Sequence, residues 1–158
     1  YYNTLESEWQ NLIAESTWQV GGMAYSSTNT AKQYHDVEVG TGQSEYEETM
    51  KIGLMYVSDY GYAASPENWI KSLDYVDGTN DYSNSTNTDN NWLYSASYEW
   101  TISRCSVNAN LAFRVGNTGL VYLDSVSTRN GVRPSFYLES SVEFSGGSGS
   151  SADPYRIP

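Results

Sequence analysis

The chain has 158 residues and a formal net charge of −11, from 8 Lys+Arg against 19 Asp+Glu. That balance repels phosphate backbones and anionic bilayers, so nucleic-acid binding and membrane attraction are disfavoured. The length suits one domain with a core large enough to stand without staples, and the single cysteine, Cys105, cannot close an internal disulfide.

Aromatic residues are abundant but uneven, with 15 Tyr and 5 Trp against 3 Phe. Most therefore carry a polar handle, which suits half-buried strands and contact surfaces. In chain order, Asn3-Thr4-Leu5-Glu6 reads as a capping box, and Leu5, Trp9, Leu12 and Ile13 recur at helical spacing. The spacing predicts a helix over residues 4–15, packed on the later strands through Leu5, Trp9 and Leu12. Thr17 to Val20 reads as a strand stopped by Gly21-Gly22. Residues 26–48 are polar and aperiodic, a loop with room for a short helix. Met50, Ile52, Leu54 and Tyr56 alternate with polar or small residues, which predicts a strand ending at Ser58-Asp59-Tyr60-Gly61. Ser65-Pro66-Glu67 starts a short helix.

Residues 74–91 form a long polar loop, the kind of insertion that carries function or moves. Short strand-like runs follow at Trp92 to Tyr94, Glu99 to Ile102, Leu111 to Val115, Leu120 to Leu123 and Arg133 to Leu138. Gly116-Asn117-Thr118-Gly119 marks a hairpin between two of them. The main domain is read as residues 1–145. A Gly/Ser-rich tail, 146–158, is flexible by composition, and its terminal segment can dock as an edge strand. Tyr1 to Thr4 is not a basic region leading into an apolar run, so the sequence reads as a mature domain or a piece of a longer protein. No run approaches the length of a membrane span.

Few patterns carry chemistry. Cys105 stands beside Arg104 with no resolving Cys or His close in sequence, which reads as a structural thiol. The one histidine, His35, belongs to neither a G-x-S-x-G elbow nor an H-E-x-x-H helix. Glu45, Glu47, Glu48, Glu67 and Glu99 have no spacing that singles out an acid–base pair. Asp74, Asp77, Asn80, Asp81 and Asp89 offer oxygen ligands in one loop, but miss the EF-hand pattern and read as a solvated acidic loop. The expectation is no catalytic residue, no metal and no cofactor.

Four runs together carry a resemblance. They are Asn91-Trp92-Leu93-Tyr94, Trp100-Thr101-Ile102-Ser103, Phe113-Arg114-Val115 with Gly119, and Asn130-Gly131-Val132-Arg133-Pro134-Ser135-Phe136-Tyr137-Leu138. This layout resembles the C-terminal half of the C-type-lectin-like fold, as in formylglycine-generating enzymes and the variable receptor proteins of diversity-generating retroelements. It is most similar to surface domains of uncharacterised Firmicutes proteins. The resemblance implies an α+β domain with a small mixed antiparallel sheet and one or two helices. It also implies a secreted bacterial surface module, non-catalytic, that adheres to a protein or glycan ligand. Its binding face would fall on Arg104, Ser106, Asn108, Asn110, Arg114, Asn117, Tyr122, Asp124 and Arg129. Strand alternation places Leu111, Phe113, Val115, Val121 and Leu123 toward the core and Arg114 and Tyr122 outward. Arg133 is expected to lie inward as an anchor on an acidic or carbonyl partner. The rival expectation is a filament subunit or tip that self-associates through the C-terminal edge. An enzyme is the less favoured third.

Overall fold

The computed structural model of the chain describes residues 2–40, 46–73, 90–150 and 152–157. They form a mixed α+β unit. Helices α1 (Ser7–Leu12), α2 (Ala31–Glu38) and α3 (Val57–Tyr62) stand with strands β1 (Ser16–Gln19), β2 (Gly22–Met23), β3 (Glu47–Met50), β4 (Gly53–Leu54), β5 (Glu99–Cys105), β6 (Leu111–Val115), β7 (Val121–Ser125) and β8 (Pro134–Ser135). The strands sort into one four-stranded sheet, β2-β5-β6-β7, and two ribbons, β1-β3 and β4-β8. In the sheet β2 runs parallel to β5, and the β5–β6 and β6–β7 pairs are antiparallel.

The core lies between that sheet and the pair α2–α3. Tyr34, Val57, Tyr60, Phe113 and Val121 are fully buried there, with Met23, Met55, Leu73 and Val115 around them. Tyr34 meets Phe113 edge-on, with ring centroids 5.5 Å apart, a favoured geometry for an aromatic pair. The helices approach closely at Gly61, where a Cβ would lie 2.6 Å from the Ala31 side chain.

A buried carboxylate locks the layers together. Glu38, at the end of α2, is 2% exposed. It accepts hydrogen bonds from the backbone N–H of Val57 and of Ser58, each 3.0 Å, at the start of α3. The Ser103 hydroxyl on β5 donates to it as well. Burial pushes the Glu38 carboxyl above its ordinary value, against the pull of these donors.

The last three strands of the sheet fall near the runs expected, β5 reaching on to Cys105 and β7 to Ser125, whereas β2 forms where Gly21-Gly22 was read as a stop. β6 has the expected bounds, and Phe113, Val115 and Val121 face the core. The β6–β7 turn closes with Gly119 at φ 82°, a conformation glycine adopts at no steric cost.

Elsewhere the structure corrects the expectations. The N-terminal helix is short: Tyr2–Thr4 form a 3-10 turn, and α1 starts only after Glu6, whose side chain makes no cap. The Gln10 amide donates to the Leu5 carbonyl at 2.7 Å. Ile13 leaves the helix to bridge Leu138. Thus α1 runs along residues 136–139 instead of the four-stranded sheet, as the Ala14–Tyr137 and Glu139–Leu12 backbone bonds mark.

The strand expected up to Ser58 breaks into β4 and helix α3, because Glu38 supplies acceptors for the first N–H groups of a helix. Trp92 to Tyr94 is a turn closed by the Tyr94 N–H on the Asn91 carbonyl, and only Pro134–Ser135 of the last run is a strand. Residues 26–48 hold α2, whose Thr30–Gln33 capping box is complete. The acidic loop, Asp74 to Asp89, lies outside the described residues. The tail is folded. Ser145 and Gly146 exchange backbone bonds with Arg156, and Phe144 stacks on Tyr155 at 4.6 Å. No helix among the described residues is long and apolar enough to cross a membrane.

Candidate functional site

The outward face of the sheet carries four of the expected contact residues, Arg104, Arg114, Tyr122 and Asp124. Period-two alternation turns Thr101, Ser103 and Cys105 of β5 into the core and leaves Trp100, Ile102 and Arg104 on the other side. Across the ladder Trp100 stands opposite Arg114, and Arg114 opposite Tyr122. Neither Arg114 nor Tyr122 projects freely; both are half-buried.

Arg114 is the centre of a plateau. Its guanidinium lies 4.4 Å from the Tyr98 ring centroid and 4.6 Å from that of Tyr122. The cation lies over two aromatic rings, each of which attracts it. Its Nη1 donates to Asn130 Oδ1 at 3.0 Å and pairs with Asp124 Oδ2 at 3.1 Å. The Arg114 and Asp124 side chains are only 15% and 21% exposed, so water screens the pair poorly. Arg114 Nε and Asn130 Nδ2 are buried and have no hydrogen-bond partner among the described residues. Buried donors of this kind are satisfied by a water or a ligand oxygen. Burial raises the Tyr122 phenol above its ordinary value, while Arg114 pulls it down.

The other expected residues spread around this centre. Ser106, Asn108 and Asn110 are exposed between β5 and β6, and Arg129, beyond β7, is exposed too. The Val126 N–H bonds the Asn110 carbonyl at 2.9 Å and ties these two loops together at one end of the strands. Asn117 sits in the β6–β7 turn at the opposite end, where its carbonyl accepts from the Tyr94 hydroxyl at 2.8 Å. Arg104 turns toward the other edge of the sheet. Its Nε donates to the Val20 carbonyl at 3.1 Å, and its guanidinium lies 4.9 Å from the Tyr46 ring. The structure therefore joins Arg114, Tyr122 and Asp124 in one cluster and leaves Arg104 and Asn117 apart from it.

Tyr98 and Asn130 belong to the cluster and escaped the sequence reading. Tyr98 precedes β5 and Asn130 lies beyond β7, so strand alternation did not reach them. The Asn130-Gly131 pair was a usable signal. The Gly131 N–H bonds the Tyr98 carbonyl and its carbonyl takes the Trp100 N–H, which pins that loop against β5.

Arg133 is the inward anchor expected. It donates to both Glu99 carboxylate oxygens, at 3.0 and 2.9 Å, and to the Leu93 carbonyl at 3.0 Å. Cys105 is buried. His35 is an exposed helical residue of α2 instead of a loop residue. Among the described residues no group of three or more His, Cys, Asp or Glu side chains is placed to hold a metal ion. No family model matches the sequence, and no curated protein or solved structure matches it significantly.

Proposed function

We propose that this chain is a C-type-lectin-like, non-catalytic binding module of a bacterial cell surface, and that the Arg114 plateau is its contact face for a protein or glycan. The observation that carries this reading is the Tyr98–Arg114–Tyr122 cation–ring cluster, held by Asp124 and Asn130. Such a face is rigid before a partner arrives, so little side-chain entropy is lost on contact. Tyr and Arg are also the residue types that dominate interface hot spots. The adjoining exposed Ser106, Asn108 and Asn110 add adaptable polar groups, as in paratopes.

Binding and catalysis separate in one experiment. The immobilised domain is challenged with arrayed glycans and secreted proteins, and retained molecules are recovered for mass analysis. Retention with the ligand recovered chemically unchanged is the expected result. Ligand recovered cleaved or modified would replace this reading with an enzyme.

A further inference from the structure

A second surface, lined by residues other than those of the plateau, has the chemistry of a binding cleft. A cavity of about 340 Å³ opens beside α3 and β8. It is lined by the aromatic rings of Trp92 and Tyr62 and by the apolar Met55 and Leu93. Trp92 is 77% exposed, which leaves most of a large apolar ring in water. Tyr62 is braced edge-on by Trp69 at 5.1 Å and by His35 at 6.0 Å.

Two charged side chains line the same cleft, Asp59 and Arg133. Their charges are not equally available. Arg133 is held by both oxygens of Glu99 and by the Leu93 carbonyl, so its charge is cancelled within the fold. Asp59 is a carboxylate of α3 whose Oδ2 accepts from the Tyr56 N–H at 2.9 Å. Its Oδ1 has no hydrogen-bond partner among the described residues. His35 is the titratable neighbour facing Asp59 from α2. The surplus charge of the cleft is therefore negative, on a chain of net charge −11.

An exposed indole, an apolar lining and one unspent carboxylate fit a ligand with an aliphatic stem and a cationic head. The stem lies on the apolar lining and the head takes the carboxylate and the ring face, where a cation is attracted by the aromatic quadrupole. We infer that this cleft takes a lysine or arginine side chain from a partner protein. The inference rests on the binding-module reading only in assigning the cation to a protein, and it is independent of the Arg114 plateau.

The test uses small probes, so it stands whether or not the plateau binds anything. Nα-acetyl-lysine methylamide and Nα-acetyl-arginine methylamide are titrated into the folded chain. Nα-acetyl-norleucine methylamide serves as the neutral isostere and methyl glucoside as the uncharged polar control. The indole N–H resonance of Trp92, assigned by its loss in Trp92→Phe, reports binding. The expected result is millimolar affinity for both cations, at least fivefold weaker for norleucine and glucoside. Trp92→Ala and Asp59→Asn should each weaken the cations at least fivefold, with unfolding midpoints close to that of the parent. In Asp59→Asn an amide oxygen can still accept from Tyr56, so the α3 cap survives. Equal binding of norleucine, a preference for the glucoside, or cation binding unchanged in both folded variants would overturn the assignment.

Discussion

The plateau around Arg114 and the cleft beside Arg133 are each built on an arginine held by a carboxylate, yet they present opposite surfaces. At the plateau, Asp124 and Asn130 both take Arg114 Nη1, and two tyrosine rings lie within 4.6 Å of its guanidinium. What meets solvent is aromatic and nearly neutral. At the cleft, Glu99 and a carbonyl pair with Arg133, and Asp59 is left over beside an exposed indole. The arginines alone would mark both regions as basic. The sign of a local surface is set instead by the charge that the fold leaves unspent.

Both regions depend on Glu38, which joins α3, the helix of Asp59, to β5, the strand beside Arg114. Glu38→Ala is expected to have the largest effect. It leaves the Ser58 N–H and the Ser103 hydroxyl without their acceptor and the Val57 N–H with only Ser103 Oγ at 3.3 Å, a loss of about 3 kcal/mol in chemical denaturation. A loss below about 1 kcal/mol would mean that the two regions are held independently. The same residue sets a pH dependence. Its folded pKa is raised, so its contribution is fully present below the ordinary glutamate value and is lost as pH rises through the folded value. The stability of the parent relative to Glu38→Gln should therefore fall with rising pH across that window. A difference that grows with pH would contradict the raised value.

Arg114→Ala comes next, at about 2 kcal/mol, because Asp124 is left largely buried without its partner. Adding Asp124→Asn should recover part of that loss. A double-mutant cycle with no coupling between the two would mean that Arg114 is free for a ligand. The smallest effect is expected at the cleft. Trp92 is mostly in water, so Trp92→Ala should change stability by less than about 0.5 kcal/mol. A larger loss would show that the indole is part of the core.

Regular alternation made the sheet readable from sequence. β6 falls on Leu111–Val115, and the facing of Arg114 and Tyr122 followed from Phe113 and Val115. The helices were harder for a physical reason. A buried charge interrupts the apolar stripe of α2, since Ala31, Tyr34 and Glu38 are its buried face. The Thr30–Gln33 box was the signal that remained. No local pattern announces α3, whose Val57-Ser58-Asp59-Tyr60-Gly61-Tyr62 owes its first turn to an acceptor supplied by another helix. Alternation could place Arg114 outward but could not pair it with Asp124, which stands opposite Ala112 and reaches across diagonally. The cleft was invisible to spacing altogether, because Asp59, Trp92 and Arg133 come from three distant segments.

The plateau is tested most directly by the dissociation constant of a retained ligand, measured for the parent and for the Tyr98→Ala/Tyr122→Ala double variant. These changes keep the Arg114–Asp124 pair, so the fold is preserved while both aromatic faces are removed. Expected is a weakening of about thirtyfold, near 2 kcal/mol, as truncation of hot-spot residues gives. An unchanged dissociation constant in a folded double variant would contradict the plateau as the contact face.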